Sequence, residues 1–542
     1  MDSDKLSGTY YTPPDAIQFM MEYLKKEQQD FSNVLEPSAG DGRFLPLLRE
    51  DASRITAIEL FQEKVDQMCR EYTDGLFTIV KNNFLDFAVN TLERYSLIIG
   101  NPPYINKKLM SKEDLEKAHV ICTEAGLSKT VMQNMWLAFV MGSCRLLQPE
   151  GSIFFVLPME FLQVQYAERL REHLEKIFNT IHIIVFQKAL FPRIEQEVCL
   201  VYLTNKRGAE RYIRYEIYED CQKRAPIQEN SIRWNKPLKK WSNAILDDSD
   251  ISYLKNAMNQ YPRIKNMGQI APGIVTGGNR YFILSDEKTE QYKCREFVLP
   301  IVQKASYIPK NVIEISESVV KEICLDNKPV YLLNLSGEKD TRRLPIALQK
   351  YLNWAGNQKV GDRSLKDCYK CSTRMPWYGV PIVKKGEVVF FKRYGQLPRI
   401  YYNSAGVHTT DAGYHIRLMD KFEGESLVFC FFNSLTLALC EFNGRYYGGG
   451  VCELVPTEFK DIVVPYRRIR EKDKEKLKSL FKSGEPVEDI VEFVNGLTIC
   501  RDYEVEQVHR FEEIRRVLMG RRDGKIGYQG SASCSKTLHD GR

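Results

Sequence analysis

Asn101-Pro102-Pro103-Tyr104 is a group of residues able to do chemistry on an amine. Each proline lacks an N–H and has a fixed φ, so the carbonyls of the turn project with little freedom. An Asn amide oxygen and a proline carbonyl can together accept both hydrogens of an exocyclic amine. The Tyr beside them offers a flat face for a base. The set suits methyl transfer to an amino nitrogen on a planar ring. Read alone, the tetrapeptide serves equally well as a structural turn.

The elements that must position it are strands and the turns at their ends. Leu97-Ile98-Ile99-Gly100 reads as a buried strand leading into the Asn-Pro-Pro-Tyr turn, and ligands sit at such strand ends in α/β sheets. The first 205 residues alternate strand-like and helix-like segments, as in a doubly wound sheet. Thr12 reads as a helix N-cap followed by Pro13 at the first helical position. Strands are expected at Asn33 to Glu36, Ile55 to Glu59, Phe77 to Lys81, Tyr95 to Gly100, Ser152 to Leu157, Ile181 to Phe186 and Val198 to Leu203. This set predicts a seven-stranded, mostly parallel sheet ending in an antiparallel pair. The apolar stripe from Met132 to Leu147 reads as core packing.

Three further strand ends carry ligand-type residues. Gly40 and Gly42 allow backbone to approach a ligand closely. The loop lacks the three glycines of a dinucleotide fingerprint and the Lys of a P-loop. Glu59, 17 residues beyond Gly42, ends the next strand, where a carboxylate can accept from both ribose hydroxyls. Asn82-Asn83-Phe84-Leu85-Asp86 follows the third strand and can hydrogen-bond and cover an adenine. With Asn101, four consecutive strand ends fit a nucleoside and its target.

The 542 residues suggest two or three domains, of ordinary globular composition. No run of 18 apolar residues is present and the N-terminus lacks a signal-peptide pattern, so a cytoplasmic protein without a membrane span is expected. The 14 Cys show no disulfide spacing, and the single Cys368/Cys371 pair reads as two free thiols rather than a metal site. The net charge of +6 is matched by the window 361–400 alone, where nine Lys/Arg face Asp362, Asp367 and Glu387. Tyr369, Trp377, Tyr378, Phe390, Phe391 and Tyr394 interleave with them. Such mixing suits nucleic acid; the bland reading is a solvated basic face with core aromatics. Residues 1–240 are assigned to a catalytic domain, 241–264 to a linker, 265–520 to an irregular second domain with C-terminal helices, and 521–542 to a disordered tail.

Together these pieces resemble the adenine-N6 DNA methyltransferases of restriction–modification systems, in the gamma motif order. The matching segments are Gly8-Thr9-Tyr10-Tyr11-Thr12-Pro13, Leu35 to Leu45, Ala57 to Leu60, Asn83 to Leu85, Asn101 to Tyr104, Gly151 to Pro158 and Leu190-Phe191-Pro192. Gly273 to Asn279 and the basic segment look like the family's target-recognition domain. The resemblance implies a Rossmann-like class I methyltransferase fold, followed by a mixed α+β recognition domain, and S-adenosylmethionine as cofactor. Thr12, Glu36, Ser38, Gly40 and Gly42 would surround its methionine end. Glu59 and Leu60 would hold the ribose and flank the adenine; Asn83, Phe84, Asn101 and Pro103 would complete the cofactor site. The family usually has Asp before that Phe. Asn83 departs from this, and Asp86 also precedes a Phe, so both stand as candidates.

The implied reaction transfers a methyl group to N6 of an adenine flipped out of double-stranded DNA. Asn101 and the Pro102 carbonyl would bind the amine, Tyr104 would stack on the base, and Phe191 would pack its other side. Lys384, Lys385, Lys392, Arg393 and Arg399 are expected to include DNA contacts, and no metal is implied. A monomer is expected, with any cognate restriction endonuclease encoded separately, since only seven residues precede the first motif. Asn-Pro-Pro-Tyr also serves enzymes that methylate an RNA base amine or a protein glutamine. A non-enzymatic DNA-specificity module is the other contrast; it would need no intact cofactor pocket.

Overall fold

The computed structural model describes residues 11–27, 29–191, 197–205, 210–233, 237–447 and 450–523. They form two compact units. One comprises the chain up to Ile251 together with residues from Gly520; the other spans Ser252–Met519.

In the first unit, helix α1 (Pro14–Lys26) precedes a regular alternation of elements. Strands β1 (Val34–Glu36), β2 (Ile55–Glu59), β3 (Phe77–Lys81) and β4 (Tyr95–Gly100) are separated by α2 (Leu45–Leu48), α3 (Gln62–Glu71) and α4 (Phe84–Asn90). Helices α5 (Lys112–Glu124) and α6 (Met135–Leu146) lead to β5 (Leu147–Pro158). Helix α7 (Glu168–Ile177) precedes β6 (Thr180–Phe186), β7 (Val198–Thr204), β8 (Tyr212–Tyr218) and β9 (Gln228–Arg233). The sheet order is β3-β2-β1-β4-β5-β7-β6-β8-β9. β7 is antiparallel to both its neighbours, while β1 to β5 run parallel. Every residue of β1, β2 and β4 is buried, which is why they read as continuous apolar runs rather than alternating ones. Ile17, Met20 and Leu24 of α1 join Val34, Leu97, Ile99, Phe154 and Val156 in one apolar cluster.

The expected seven-stranded sheet thus gains two strands. β8 runs parallel to β6, and β9 returns antiparallel to β8. Their signal lies in Tyr212 to Tyr218, where the apolar Ile213, Tyr215 and Ile217 fall at every second position and are all buried. The N-cap of α1 also differs from expectation: it is Pro13, with Pro14 opening the helix. Thr12 lies one residue earlier, and its hydroxyl accepts from Asn101 instead.

Within 241–264, expected as a linker, lie a 3-10 turn at Trp241–Asn243 and a helix at Asp248–Ala257. The second unit holds two four-stranded sheets. One is built from Gly268–Pro272, Gly413–Leu418, Val388–Phe391 and Arg399–Tyr402, all antiparallel. It is not as irregular as expected. Gly424–Phe431 and Ser434–Asn443 are helices buried at all but one position each, Glu425 and Asn443, so they carry no amphipathic period to read. The charged C-terminal stretch folds as helices Glu471–Ser483, Val487–Leu497 and Val505–Asp523. The last runs through Arg521, where a disordered tail was expected to begin; residues 524–542 lie outside the described residues. Among the described residues no single helix is long and apolar enough to cross a membrane.

Candidate active site

The chain runs β1 to β3 outward and then returns to place β4 beside β1, which makes a switch point between the β1 and β4 ends. A cleft of about 240 Å³ opens there. Its wall is built from the four turns singled out in the sequence: Glu36, Ser38 and Gly40 after β1, Glu59 and Leu60 at β2, Asn83 and Phe84 after β3, and Asn101 and Pro103 after β4. Thr12 lines it from the segment before α1.

The β1 turn is held from both sides. Gly40 and Gly42 adopt φ of +59° and +75°, a left-handed backbone that suits glycine. A Cβ on Gly42 would meet the Met68 sulfur at 3.0 Å, so Gly42 packs against α3 and does not line the cleft. Glu59 is buried, and its two oxygens accept the Gly40 and Phe61 N–H groups, each at 2.8 Å. One carboxylate therefore braces the β1 turn and the entry to α3, leaving lone pairs on both oxygens for a ligand. The Ser38 hydroxyl donates to the Asn101 carbonyl at 3.1 Å, joining the β1 and β4 turns.

Asn101 Nδ2 donates to Thr12 Oγ1 at 3.2 Å, which orients the amide and turns Oδ1 away from Thr12. Pro102 is buried. The Tyr104 hydroxyl donates to the Val156 carbonyl of β5 at 3.0 Å, which fixes the ring by its far end. Tyr104 is not part of the cleft lining. Neither is Phe191, which is buried in the apolar cluster beneath the sheet turns. Gly8, Thr9, Tyr10 and Pro192 of the flanking motifs lie outside the described residues.

Several lining residues were not anticipated. Arg43 clasps the Asp41 carboxylate at 2.8 and 2.5 Å, donates to the Thr12 carbonyl at 2.8 Å, and lies 4.6 Å over the Tyr11 ring. This straps Tyr11 and Thr12 across the β1 turn; bonding to Asp41 also raises the Arg43 pKa. From the segment after Tyr104 come Met110, Ser111 and Asp114. Ser111 and Asp114 follow the Ser-x-x-acid pattern of a helix start, a signal that was there to read. Asp86 is turned to Lys117 at 2.6 Å and does not line the cleft.

Two features point to a ligand that is part cation and part flat ring. Glu36 is 1% exposed and its Oε2 has no hydrogen-bond partner. Burial first, then Asp41 and Glu59, push its pKa well above the carboxylate norm. A buried orphaned carboxylate suits a positively charged partner. Leu60 and Phe61 stay 53% and 48% exposed at the cleft, and Phe84 and Phe139 line it with ring centroids 4.6 Å apart. The residues therefore fit S-adenosylmethionine, which has an ammonium, a sulfonium, a ribose and an adenine. Among the described residues no cluster of metal-ligating side chains occurs.

In the second unit, Lys384 and Lys385 are exposed just before the strand Val388–Phe391. Lys392 and Arg393 are both held by Glu453, at 3.9 and 3.1 Å. Arg399 is half-buried. Of the aromatics interleaved with these cations only Tyr369 is strongly exposed, at 72%. Phe390 stacks on Phe459 with centroids 4.1 Å apart; Tyr378, Phe391 and Tyr394 are buried. The aromatics are mainly core, as in the bland reading of this segment, and Tyr369 is the one that joins the basic side chains at the surface.

Two family models and several known proteins match this chain. Residues 46–190 match the family model described as Eco57I restriction-modification methylase. Residues 238–499 match that of the C-terminal domain of the Type II methyltransferase M.Eco57I. The Type II methyltransferase M.AccI of Acinetobacter calcoaceticus is 22% identical over 485 residues, covering 84% of this chain and 85% of its own. M.TthHB8I of Thermus thermophilus is 26% identical over 234 residues, about half of its length. The DNA complex of the Type IIL restriction-modification enzyme MmeI superposes with a TM-score of 0.61 at 13% identity, covering 96% of this chain and 80% of that one. The chain is a restriction–modification DNA methyltransferase, similar over residues 46–190 and 238–499 to the Eco57I-type methylases.

Proposed function

We propose that the protein transfers a methyl group from S-adenosylmethionine to N6 of an adenine flipped out of double-stranded DNA. The observation that carries this reading is that Asn101 and Pro103, the orphaned Glu36 carboxylate and the Glu59 brace line one cleft. Glu36, Ser38 and Gly40 would hold the amino-acid end of the cofactor, Glu59 its ribose, and Leu60, Phe84 and Pro103 the faces of its adenine. The chemistry supplied by a bound S-adenosylmethionine is an electrophilic methyl carbon on a positively charged sulfur.

The chain's own residues then have to present the amine. An adenine amine is a weak nucleophile because its lone pair is delocalised into the ring. Asn101 Oδ1 and the Pro102 carbonyl accept its two hydrogens, favour a pyramidal nitrogen and stabilise the charge that develops as the N–C bond forms. The Thr12 hydroxyl keeps the Asn101 amide oriented for this. Tyr104, tethered through its hydroxyl to β5, offers its ring to the extruded base. Fixed orientation contributes much of the rate, and the surplus proton leaves the nitrogen for solvent.

Lys384 and Lys385 are proposed as phosphate contacts, with Arg399 beside them and with Lys392 and Arg393 contributing less because Glu453 offsets their charge. A methylated RNA base or protein glutamine would leave the match over residues 238–499 without a role. Methylation-sensitive sequencing of DNA from cells expressing the protein tests the reading. N6-methyladenine in one recurring sequence context is expected. A methyl group on a cytosine amine, or unmodified DNA beside methylated RNA, would overturn it.

A further inference from the structure

Asn83 stands where the family usually has Asp, yet its amide is already committed. Oδ1 accepts the Leu85 N–H at 2.9 Å and caps α4, while Nδ2 donates to Asp114 Oδ1 at 2.6 Å. Asp86, the other candidate, is paired with Lys117 and lies off the cleft. Asp114 is different. It lines the cleft from the first turn of α5, where the helix N-terminus favours negative charge. It is held from two sides, by Asn83 on Oδ1 and by the Ser111 hydroxyl on Oδ2 at 2.7 Å. A carboxylate has about four acceptor sites. Two are used here, and the rest can take donors from a ligand. The same wall carries Phe84 and Phe139, whose rings suit a flat base.

We propose that Asp114 accepts the exocyclic amine of the cofactor's adenine, and that Asn83 is the positioning residue that holds its carboxylate. This rests on reading the cleft as the S-adenosylmethionine site. The acceptor thus comes from α5, beyond the Asn101–Tyr104 turn, and not from the turn after β3. A carboxylate cannot donate, so a purine lacking the amino group gains nothing from it, and one with a carbonyl there is repelled.

The test is titration calorimetry of the full chain with S-adenosylhomocysteine and with its analogue bearing hydrogen in place of the 6-amino group. The wild type should prefer the amino ligand by about tenfold or more, the effect of one hydrogen bond to a charged group. Asp114→Ala should bring that preference close to one. Asp114→Asn, which keeps the shape and serves if Ala weakens the fold, should reduce it several-fold. Asn83→Ala should lower it partially, by loosening the carboxylate. If Asp114 only caps α5, both ligands weaken equally in both Asp114 variants and the preference stays at its wild-type value, which overturns the proposal alone. Failure of the wild type to bind either ligand overturns the reading of the cleft and the proposal together.

Discussion

Glu59 joins fold and function in one side chain, and replacing it separates the two. Its oxygens each accept one part-buried backbone N–H, from Gly40 and from Phe61, at 2.8 Å. Glu59→Ala leaves both donors without that partner. An unsatisfied, fully buried donor costs ~1–3 kcal/mol, so two would cost ~2–6 kcal/mol; these two are only part-buried and open to water from the cleft, which brings the loss to the lower half of that range. Glu59→Gln keeps one acceptor and turns an NH2 toward the other donor, for a loss of ~1.5–3 kcal/mol. Both variants also remove the anionic acceptor proposed for the ribose hydroxyls. At ~1.5 kcal/mol or more for one such bond, the Gln variant should bind S-adenosylhomocysteine at least about tenfold more weakly. Chemical denaturation measures the first effect and calorimetry at a temperature where each variant is folded measures the second. If Glu59→Gln is destabilised as calculated but binds the ligand as well as wild type, Glu59 is a brace for the β1 turn only, and its assignment to the ribose is wrong.

Other perturbations separate the remaining roles. Asn101→Ala should lower methyl transfer by about 100-fold or more, the scale of losing one oriented polar group in a transition state, while DNA affinity in a gel-shift assay stays within about threefold. Gly42→Ala places a Cβ at φ +75° and 3.0 Å from Met68; a cost of ~1–3 kcal/mol is expected, seen as a lower midpoint in urea. Glu36 holds a proton in the folded chain above the pH where the unfolded chain releases it, because burial raises its pKa from 4.5. Stability should therefore fall as pH rises from about 4.5 toward that raised value, and Glu36→Gln should flatten this descent in denaturation midpoints taken across pH. The double variant of Lys384→Ala and Lys385→Ala should make the log–log salt dependence of DNA binding shallower by about 0.9 per lost phosphate contact; Arg393→Ala should change it less, since Glu453 offsets that charge.

The wall of the cleft was readable because its polar residues sit at the ends of successive parallel strands, and buried strands announce themselves as apolar runs. Glu36, Glu59 and Asn101 each close such a run. Residues that reach the cleft from helices obey no such rule. Asp114 lies 13 residues beyond Asn101 and belongs to the wall only because α5 turns its first turn back to Asn83. Composition misled in the second unit for a related reason. Phe390, Phe391 and Tyr394 alternate with Lys392 and Arg393 in sequence, but the strand Val388–Phe391 is buried throughout. Mixing of residue types along the chain therefore did not mean mixing on the surface.

On the proposed function, the charges of the cleft and of the basic segment answer two different ligands. Glu36, Asp41, Glu59 and Asp114 line the cleft against Arg43 and Lys64, and Arg43 is committed to Asp41. That balance is acidic, whereas the window 361–400 nets +6. A duplex gains from the second and is repelled by the first, so DNA phosphates cannot compete for the cofactor's place. S-adenosylmethionine carries a net positive charge through its sulfonium, and the demethylated product has lost it. An acidic cleft accordingly holds the cofactor more tightly than the product, and the Coulomb attraction that favours loading fades once the methyl group has been transferred.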